Sequence, residues 1–346
     1  MSVTTRTETL NTLNVTTGKA LLSMVSQMND DNPIQSRLMN KAKSGKGGEL
    51  IEVPLLYGRE NTKTMGEWEE YDLQPNEIMD KAWFQWKIVH GDMVLSTLQV
   101  DVQNVGQAKL IDLAMAKVKN MRTSMSNQFS ELLYTANADL EDTDPDSLLR
   151  ICATEDNTVG GIDASSMTNF DWNPTILDYS GDGINPDDLV NPASDHYIEK
   201  IIRRIVSELT YGKDKPTLIV TTQGIWDALE EAYRADKRLN DNLMTAEGGF
   251  DILKFRNIHV VVDNHVPGGK LNTTDDNGAM MLVLNESYLD YRYAPNINWK
   301  WQKWIKAEKQ GVYFSTLDWV GNLVCSRRDR QGSVKGLPTD SQIFNA

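Results

Sequence analysis

At 346 residues, 40% hydrophobic and 24% charged, the chain can bury a real core and has room for two domains; it is neither a disulfide-built miniprotein nor wholesale disorder. A formal charge of −14 argues against the chain as a whole clamping phosphates, because affinity for nucleic acid comes largely from lysine and arginine displacing counterions. No window approaches about 18 uninterrupted apolar residues, and the amino terminus, MSVTTRTETLNTLNVTTG, has no apolar core flanked by positive charge, so a cytosolic product is expected, neither secreted nor membrane-spanning.

Residues 1–48 are rich in Thr, Asn, Ser and Lys, end in KSGKGG, and hold one short apolar stretch, Ala20 to Met28. They read as a solvated arm with room for one helix. The arm is mildly basic, with Arg6, Lys19, Arg37, Lys41, Lys43 and Lys46 against Glu8, Asp30 and Asp31, which leaves loose contact with a negatively charged partner open. Two strand-like runs follow, ELIEVPLLYG (49–58) and KAWFQWKIVHG (81–91), the second rich in aromatics that favour pleated surfaces. Between them lie polar and turn-forming residues, RENTKTMGEWEEYDLQPNEIMD, far more than the two to five of a tight hairpin. This segment either lacks order or forms a long two-stranded flap. A lone flap has no core of its own, so an ordered one has to lean on something else, such as another subunit.

The strongest helical pattern runs from Gln107 to about Ala136. Ile111, Met115, Val118, Met125, Phe129 and Leu132 recur at three- and four-residue steps, with Lys109, Lys117, Lys119 and Arg122 off that stripe. At ~1.5 Å per residue the helix would be ~45 Å long. From Ala193 the pattern alternates: helix HYIEKIIRRIVSEL, buried-type strand TLIVTT, helix GIWDALEEAYRA, then strands KFRNIHVVVDN and AMMLVLN. This is an α+β region, followed by a β-rich remainder that includes NWKWQKWIKAEKQ.

Candidate chemistry fails its tests. Each Gly-Lys pair lacks the Ser or Thr of a phosphate-cradling loop, being followed by Ala20, Gly47, Asp214 or Leu271, and neither G-x-S-x-G nor H-E-x-x-H occurs. His259, Asp263 and His265 would span about 20 Å on an extended strand, beyond one metal's reach unless the chain turns sharply near Asn264. DYSGDG (178–183) resembles the start of a calcium loop, but Leu189 stands where the bidentate glutamate belongs, so a turn is the better reading. The two cysteines, Cys152 and Cys325, lie far apart with no C-x-x-C pair and read as buried free thiols. Cys325 sits in an apolar strand pattern with no histidine near it. The following Arg327, Arg328 and Arg330, beside Asp329, fit carboxylate pairing within or between subunits better than phosphate binding. No catalytic, cofactor or metal residue is assigned.

The stretch WVGNLVCSRRDRQG (319–332) resembles the carboxy-terminal strand of tailed-bacteriophage major capsid proteins of the Hong Kong 97-type fold. TVGGIDASSMTNFDWNP (158–174), PTLIVTTQGIWDAL, GFDILKFRNIHVVVD and LVLNESYLDYR resemble further blocks of that family, in the expected order. The resemblance covers about residues 150–337. It implies an α+β fold with an N-terminal arm (1–48), an extended β-hairpin loop (49–91), a peripheral domain with a long spine helix (92–175 and 299–346) and an axial α+β domain (176–298).

It also implies a shell subunit whose partners are other copies of itself in pentamers and hexamers, the flap covering one neighbour and the arm reaching another. Many modest contacts then sum to a closed shell. A separate scaffolding protein, a portal and a decoration protein are further implied partners, with double-stranded DNA enclosed without sequence-specific binding, no membrane, no cofactor and no enzymatic role. The negative charge fits DNA that must slide in and out. The 48 arm residues are too few for a helical scaffolding segment, and Lys63, the lysine at the flap tip, has no recognisable asparagine partner for the crosslink some relatives form. The alternatives are an encapsulin-like cellular nanocompartment shell, which shares the fold, and a soluble α+β enzyme.

Overall fold

In a computed structural model, residues 11–20, 33–56, 62, 64–68, 78–100, 107–166, 172–234, 244–245, 251–272 and 278–344 are described. Residues 11–20 form α1 and Pro33–Asn40 form α2. β1 (Leu50–Leu56) and β2 (Met79–Gln85) make an antiparallel ribbon, in register from Leu50 opposite Gln85 to Leu56 opposite Met79. Then come β3 (Lys87–Ser96), the long helix α3 (Gln107–Leu133), and α4 (Leu148–Cys152). β4 (Thr175–Asp178), α5 (Pro186–Val190), α6 (Ile198–Leu209), β5 (Leu218–Thr221) and α7 (Gln223–Arg234) follow. The chain continues through β6 (Asp251–Phe255), β7 (Ile258–Val262), β8 (Ala279–Leu284), β9 (Leu289–Tyr293), β10 (Val312–Cys325), β11 (Gly332–Leu337) and α8 (Asp340–Phe344).

A six-stranded sheet is built on β10. β3 pairs with it antiparallel along Val312 to Gly321, β9 pairs along Gly321 to Cys325, and the short strands Lys300–Trp301 and Ile305–Lys306 pair with its first half. The inward face of α3 is Ala114, Val118, Met121, Met125, Phe129 and Leu132, a 3.6-residue stripe. It approaches β3 closely at Gly91, where a Cβ would lie 2.9 Å from Met121 Cε and Met125 Sδ. Phe129 meets the Trp319 ring edge-on at 5.2 Å, and Tyr291 meets the same indole at 5.8 Å. Such aromatic pairs hold the helix in one register on the sheet.

The seven-stranded sheet runs β4, β11, β8, β5, β7, β6 and the short strand Met244–Thr245. Its centre is buried on both faces: every residue of β5 and β8 is buried, as their unbroken apolar sequences require. On one side α6 lays down Ile198, Ile201, Ile202, Ile205, Val206 and Leu209, while Arg203 and Arg204 pair outward with Glu199 and Glu208 one turn away.

Several expectations meet a different structure. The run 81–91 is two strands, because the chain turns at Trp86 and enters a second sheet. Met115, expected on the buried stripe of α3, is exposed, and Ala114 and Met121 take that face. Gly332–Leu337, grouped from sequence with the returning strands 299–346, belongs to the seven-stranded sheet, and Leu289–Tyr293, grouped with 176–298, belongs to the six-stranded one. Pairing across the chain, invisible to local pattern, sets both memberships.

The arm differs most. The expected helix at 20–28 falls almost wholly outside the described residues, but residues 11–20 are helical and pack on their own chain. Asn14 Oδ1 accepts the Trp304 amide at 2.9 Å, Thr17 Oγ1 accepts the Trp304 indole N–H at 2.9 Å, and Leu13 is buried. α2 buries Ile34 and Leu38, and Lys43–Ser44 adds a parallel edge to β9. The described parts of the arm, residues 11–20 and 33–44, are therefore docked on their own body rather than solvated. Leu13, Ile34 and Leu38 are buried there, and Arg37, Lys41 and Lys43 pair with Glu286 and Asp290.

Candidate assembly surfaces

The cysteine and arginine stretch is structural. Cys325 and Cys152 are fully buried, and burial pushes the Cys325 thiol up to about 12 and the Cys152 thiol well above its ordinary value. Such thiols stay protonated and are poor nucleophiles. Arg328 has no solvent exposure. Its guanidinium donates to the backbone carbonyls of Ile151 at 2.8 Å, Arg150 at 3.1 Å, Asn157 and Trp172 at 3.4 Å each, and Thr154. Burial pulls it down to about 10. One buried side chain thus stitches α4 and the segment around Gly160 to the end of β10. Arg327 and Arg330 both pair with Asp329, at 2.8 and 3.2 Å, and Arg330 lies 4.7 Å over the Tyr211 ring. The carboxylate expected beside these arginines is the one they use.

The histidine group assembles only in part. Asp263 accepts from the His265 amide at 3.0 Å and from Tyr134 Oη at 2.9 Å, and its Oδ1 lies 3.3 Å from His265 Nδ1, while His259 stands apart, near Arg37, Lys254 and Glu286. Among the described residues, no group of three or more His, Cys, Asp or Glu could hold a metal ion. In DYSGDG, Asp178 Oδ1 accepts from the Ser180 amide and hydroxyl at 2.9 and 2.5 Å, and Asp182 meets His196 at 3.2 Å, which makes a turn. Lys63 lies outside the described residues.

The described part of the flap exposes large apolar side chains. Its base is clamped: β1 and β2 bury Ile51, Val53, Leu55, Ala82 and Phe84 against the body, and Gly160 O accepts the Trp83 amide at 2.8 Å. Gly160 and Gly161 hold φ of +62° and +73°, and a Cβ on Gly160 would sit 2.9 Å from Ala82 and Phe84. Asn322, the polar residue inside the apolar run of β10, locks this corner. It donates to Gln85 O and Asp146 Oδ2, both at 3.0 Å, and accepts from the Asp146 amide at 2.8 Å. Beside it a polar cleft of about 420 Å³ is lined by Trp83, Lys87, Glu141, Asp142 and Arg150. On the outer face of the ribbon Leu56 is 73% exposed and Met79 62%, and Trp68, in the described part of the tip, is 92% exposed. Alternation along β1 predicts which residues face out, but only the structure shows that none of the described residues covers them.

No family model matches the chain, and no curated protein matches it. Solved structures do match. The cyanophage A-1(L) capsid subunit is 15% identical, with 88% of this chain and 92% of that chain covered at a TM-score of 0.61. The capsid of cyanophage P-SCSP1u is 10% identical over 86% of each chain, TM-score 0.53. A chain of the satellite phage P4 procapsid, solved with its size determination protein, is 11% identical over 92% of this chain and 98% of its own, TM-score 0.51. This chain has the Hong Kong 97-type capsid fold, a mixed α+β architecture.

Proposed function

We propose that the chain is the major capsid protein of a tailed double-stranded DNA bacteriophage, assembling as pentamers and hexamers into an icosahedral head. The observation that carries this reading is the uncovered flap on a body of capsid fold: a ribbon clamped at its base, with Leu56, Trp68 and Met79 exposed, is stabilised where a sister molecule covers it. The six-stranded sheet with α3 serves as the peripheral part and the seven-stranded sheet with α6 and α7 as the part nearer the symmetry axes. The role is structural, with no catalytic residue; scaffolding protein, portal and decoration protein act as separate partners. Assembly takes place in the host cytoplasm, and the virion is the final location.

Expressing the full chain alone and with a scaffolding protein, then imaging by negative stain, tests this. Closed shells enclosing duplex DNA during infection are expected. Shells holding protein cargo would place the chain among cellular nanocompartments, and a shell-free monomer on size exclusion under every condition would return it to the soluble α+β proteins.

A further inference from the structure

β3 is an edge strand: it runs 10 residues beside β10, and no strand pairs with its other side among the described residues. The ladder fixes which way its main-chain groups point. The Thr97 amide donates to Gly311 O at 2.9 Å, one step beyond the pair Ser96 and Val312, while the Gln302, Ala294 and Ala307 amides reach Thr316, Val320 and Val312 from the far side of β10. Odd-numbered residues of β10 therefore serve β3, and Val89, Gly91, Met93 and Leu95 answer them. Ile88, His90, Asp92 and Val94 turn their N–H and C=O groups to the open edge, where no described residue hydrogen-bonds to them. Their side chains stand on the face away from α3: Ile88 is 65% exposed, Val94 43%, and His90 and Asp92 are exposed.

An unpaired edge of this length is a template for another strand unless the sequence blunts it. The flap's edge is blunted. The Trp83 amide points off the ribbon to Gly160, so its partner Glu52 and, two residues on, Pro54 face outward on β1, and a proline has no N–H to offer. β3 carries no proline, and only its last amide is taken, by Gln99 Oε1 at 3.3 Å from Ser96 N.

The four outward residues read apolar, imidazole, carboxylate, apolar, an order that complements itself when reversed. We infer that β3 pairs antiparallel with β3 of a second copy about a two-fold axis at Gly91, joining two six-stranded sheets edge to edge. Ile88 of each copy then faces Val94 of the other, and His90 faces Asp92. Each facing pair exchanges two main-chain hydrogen bonds, roughly eight in all. A slip by two residues would set His90 on His90 or Asp92 on Asp92, so the side chains select this register. The contact is isologous, and it does not depend on the capsid reading, because its readout is a dimer.

Cysteine crosslinking reads the register. Full-length I88C and V94C chains, mixed and treated with oxidised glutathione, are expected to give a disulfide-linked dimer about tenfold above either chain alone, because facing Cα atoms lie about 5.5 Å apart while the two copies of position 88 lie about 20 Å apart. No crosslink in the mixture, or equal crosslinking in the single chains, overturns the pairing. In sedimentation velocity H90D is expected to weaken the dimer about tenfold by setting carboxylates opposite Asp92, and H90D/D92H to restore it. D92P removes an N–H that the chain's own ladder does not use, and is expected to fold by circular dichroism yet stay monomeric. A native chain that stays monomeric, or a D92P chain that associates like the native one, overturns the pairing. Protection of the Ile88 to Val94 amides from hydrogen exchange only when a scaffolding protein is added overturns it in favour of that partner. Crosslinked dimers without shells support the pairing while counting against the capsid reading.

Discussion

Arg37 grips Glu286 through two parallel hydrogen bonds, Nε to Oε1 at 2.9 Å and Nη2 to Oε2 at 3.0 Å, across 249 positions of sequence. Lys41 adds a contact at 3.3 Å, and Thr217 Oγ1 donates to the same carboxylate at 3.1 Å. Two of the arm's cations are thereby paired with one carboxylate of the chain's own body. Arg37→Ala removes the fork and leaves a buried carboxylate with weaker partners, at a cost of about 1.5–3 kcal/mol. Limited proteolysis should then cut the arm near residues 33–44 while the body stays intact.

The same latch responds to pH. Burial pushes the Glu286 carboxyl up, but Arg37 and Lys41 outweigh it and hold it below its ordinary value. A depressed folded pKa gives a contribution that is complete above the unfolded value, about 4.3, and is lost as pH falls through the folded value. His259 acts in the same direction: burial, and then Arg37, hold it below its ordinary value, so acidification through about 6.5 favours the unfolded, protonated form. Arm protection should therefore weaken on acidification. An arm equally protected at pH 3.5 and pH 7 would count against the latch.

Arg328→Lys keeps the charge and loses the planar fork that reaches carbonyls on α4 and around Gly160. A lysine has three donors on one atom and cannot span them. Thermal unfolding should report a loss of about 3–5 kcal/mol, or an insoluble chain, because the orphaned carbonyls stay buried. A melting point within a degree or two of the native chain would contradict the arrangement.

Gly161→Ala places a Cβ against the Trp83 indole at φ +73°, a conformation that costs a side chain about 1–3 kcal/mol. The clash lies at the flap base rather than in either core. The expected result is a folded subunit by circular dichroism with an altered flap and a much lower yield of shells.

Tyr134→Phe deletes the hydrogen bond from the end of α3 to Asp263, which follows β7. Burial, and then Asp263, raise the Tyr134 hydroxyl well above its ordinary value, so it remains a donor across the usable pH range. Removing it leaves the buried Asp263 Oδ2 short of a partner. The denaturant midpoint should fall by the equivalent of about 1–3 kcal/mol with an unchanged m-value.

Cys152 and Cys325 should resist alkylation in the folded chain and react fully in denaturant, as read by intact mass. Rapid labelling of either in the native state would mean that the burial described for α4 and β10 opens easily.

Much of the architecture could be read from the residues, because it follows from local periodicity. The 3.6-residue recurrence of Val118, Met125, Phe129 and Leu132 specifies α3, the stripe of Ile198, Ile201, Ile202 and Ile205 specifies α6, and the unbroken apolar runs LIVT and AMMLVL specify central strands. Ordered family-like blocks then pointed to the capsid fold. Asn322 inside an apolar run was a visible sign of a buried hydrogen-bonding job, whereas nothing local marks Glu286 or Arg328, whose partners lie far away in sequence.

The sequence by itself determined the helices α3, α6 and α7, the central strands, most of the buried face of α3 and α6, and the unusual length of the segment between β1 and β2, since all of these depend on neighbours within a few turns of chain. Only the tertiary structure decided that Gly332–Leu337 joins the seven-stranded sheet, that α1 and α2 lie on their own body, and that Arg328 is wired into α4 while Trp68 is exposed. The physical reason is that burial and pairing are properties of positions in space. An arginine has the same side chain in solvent or among five carbonyls, and an apolar flap face counts as unsatisfied only once the rest of the chain is seen to leave it uncovered.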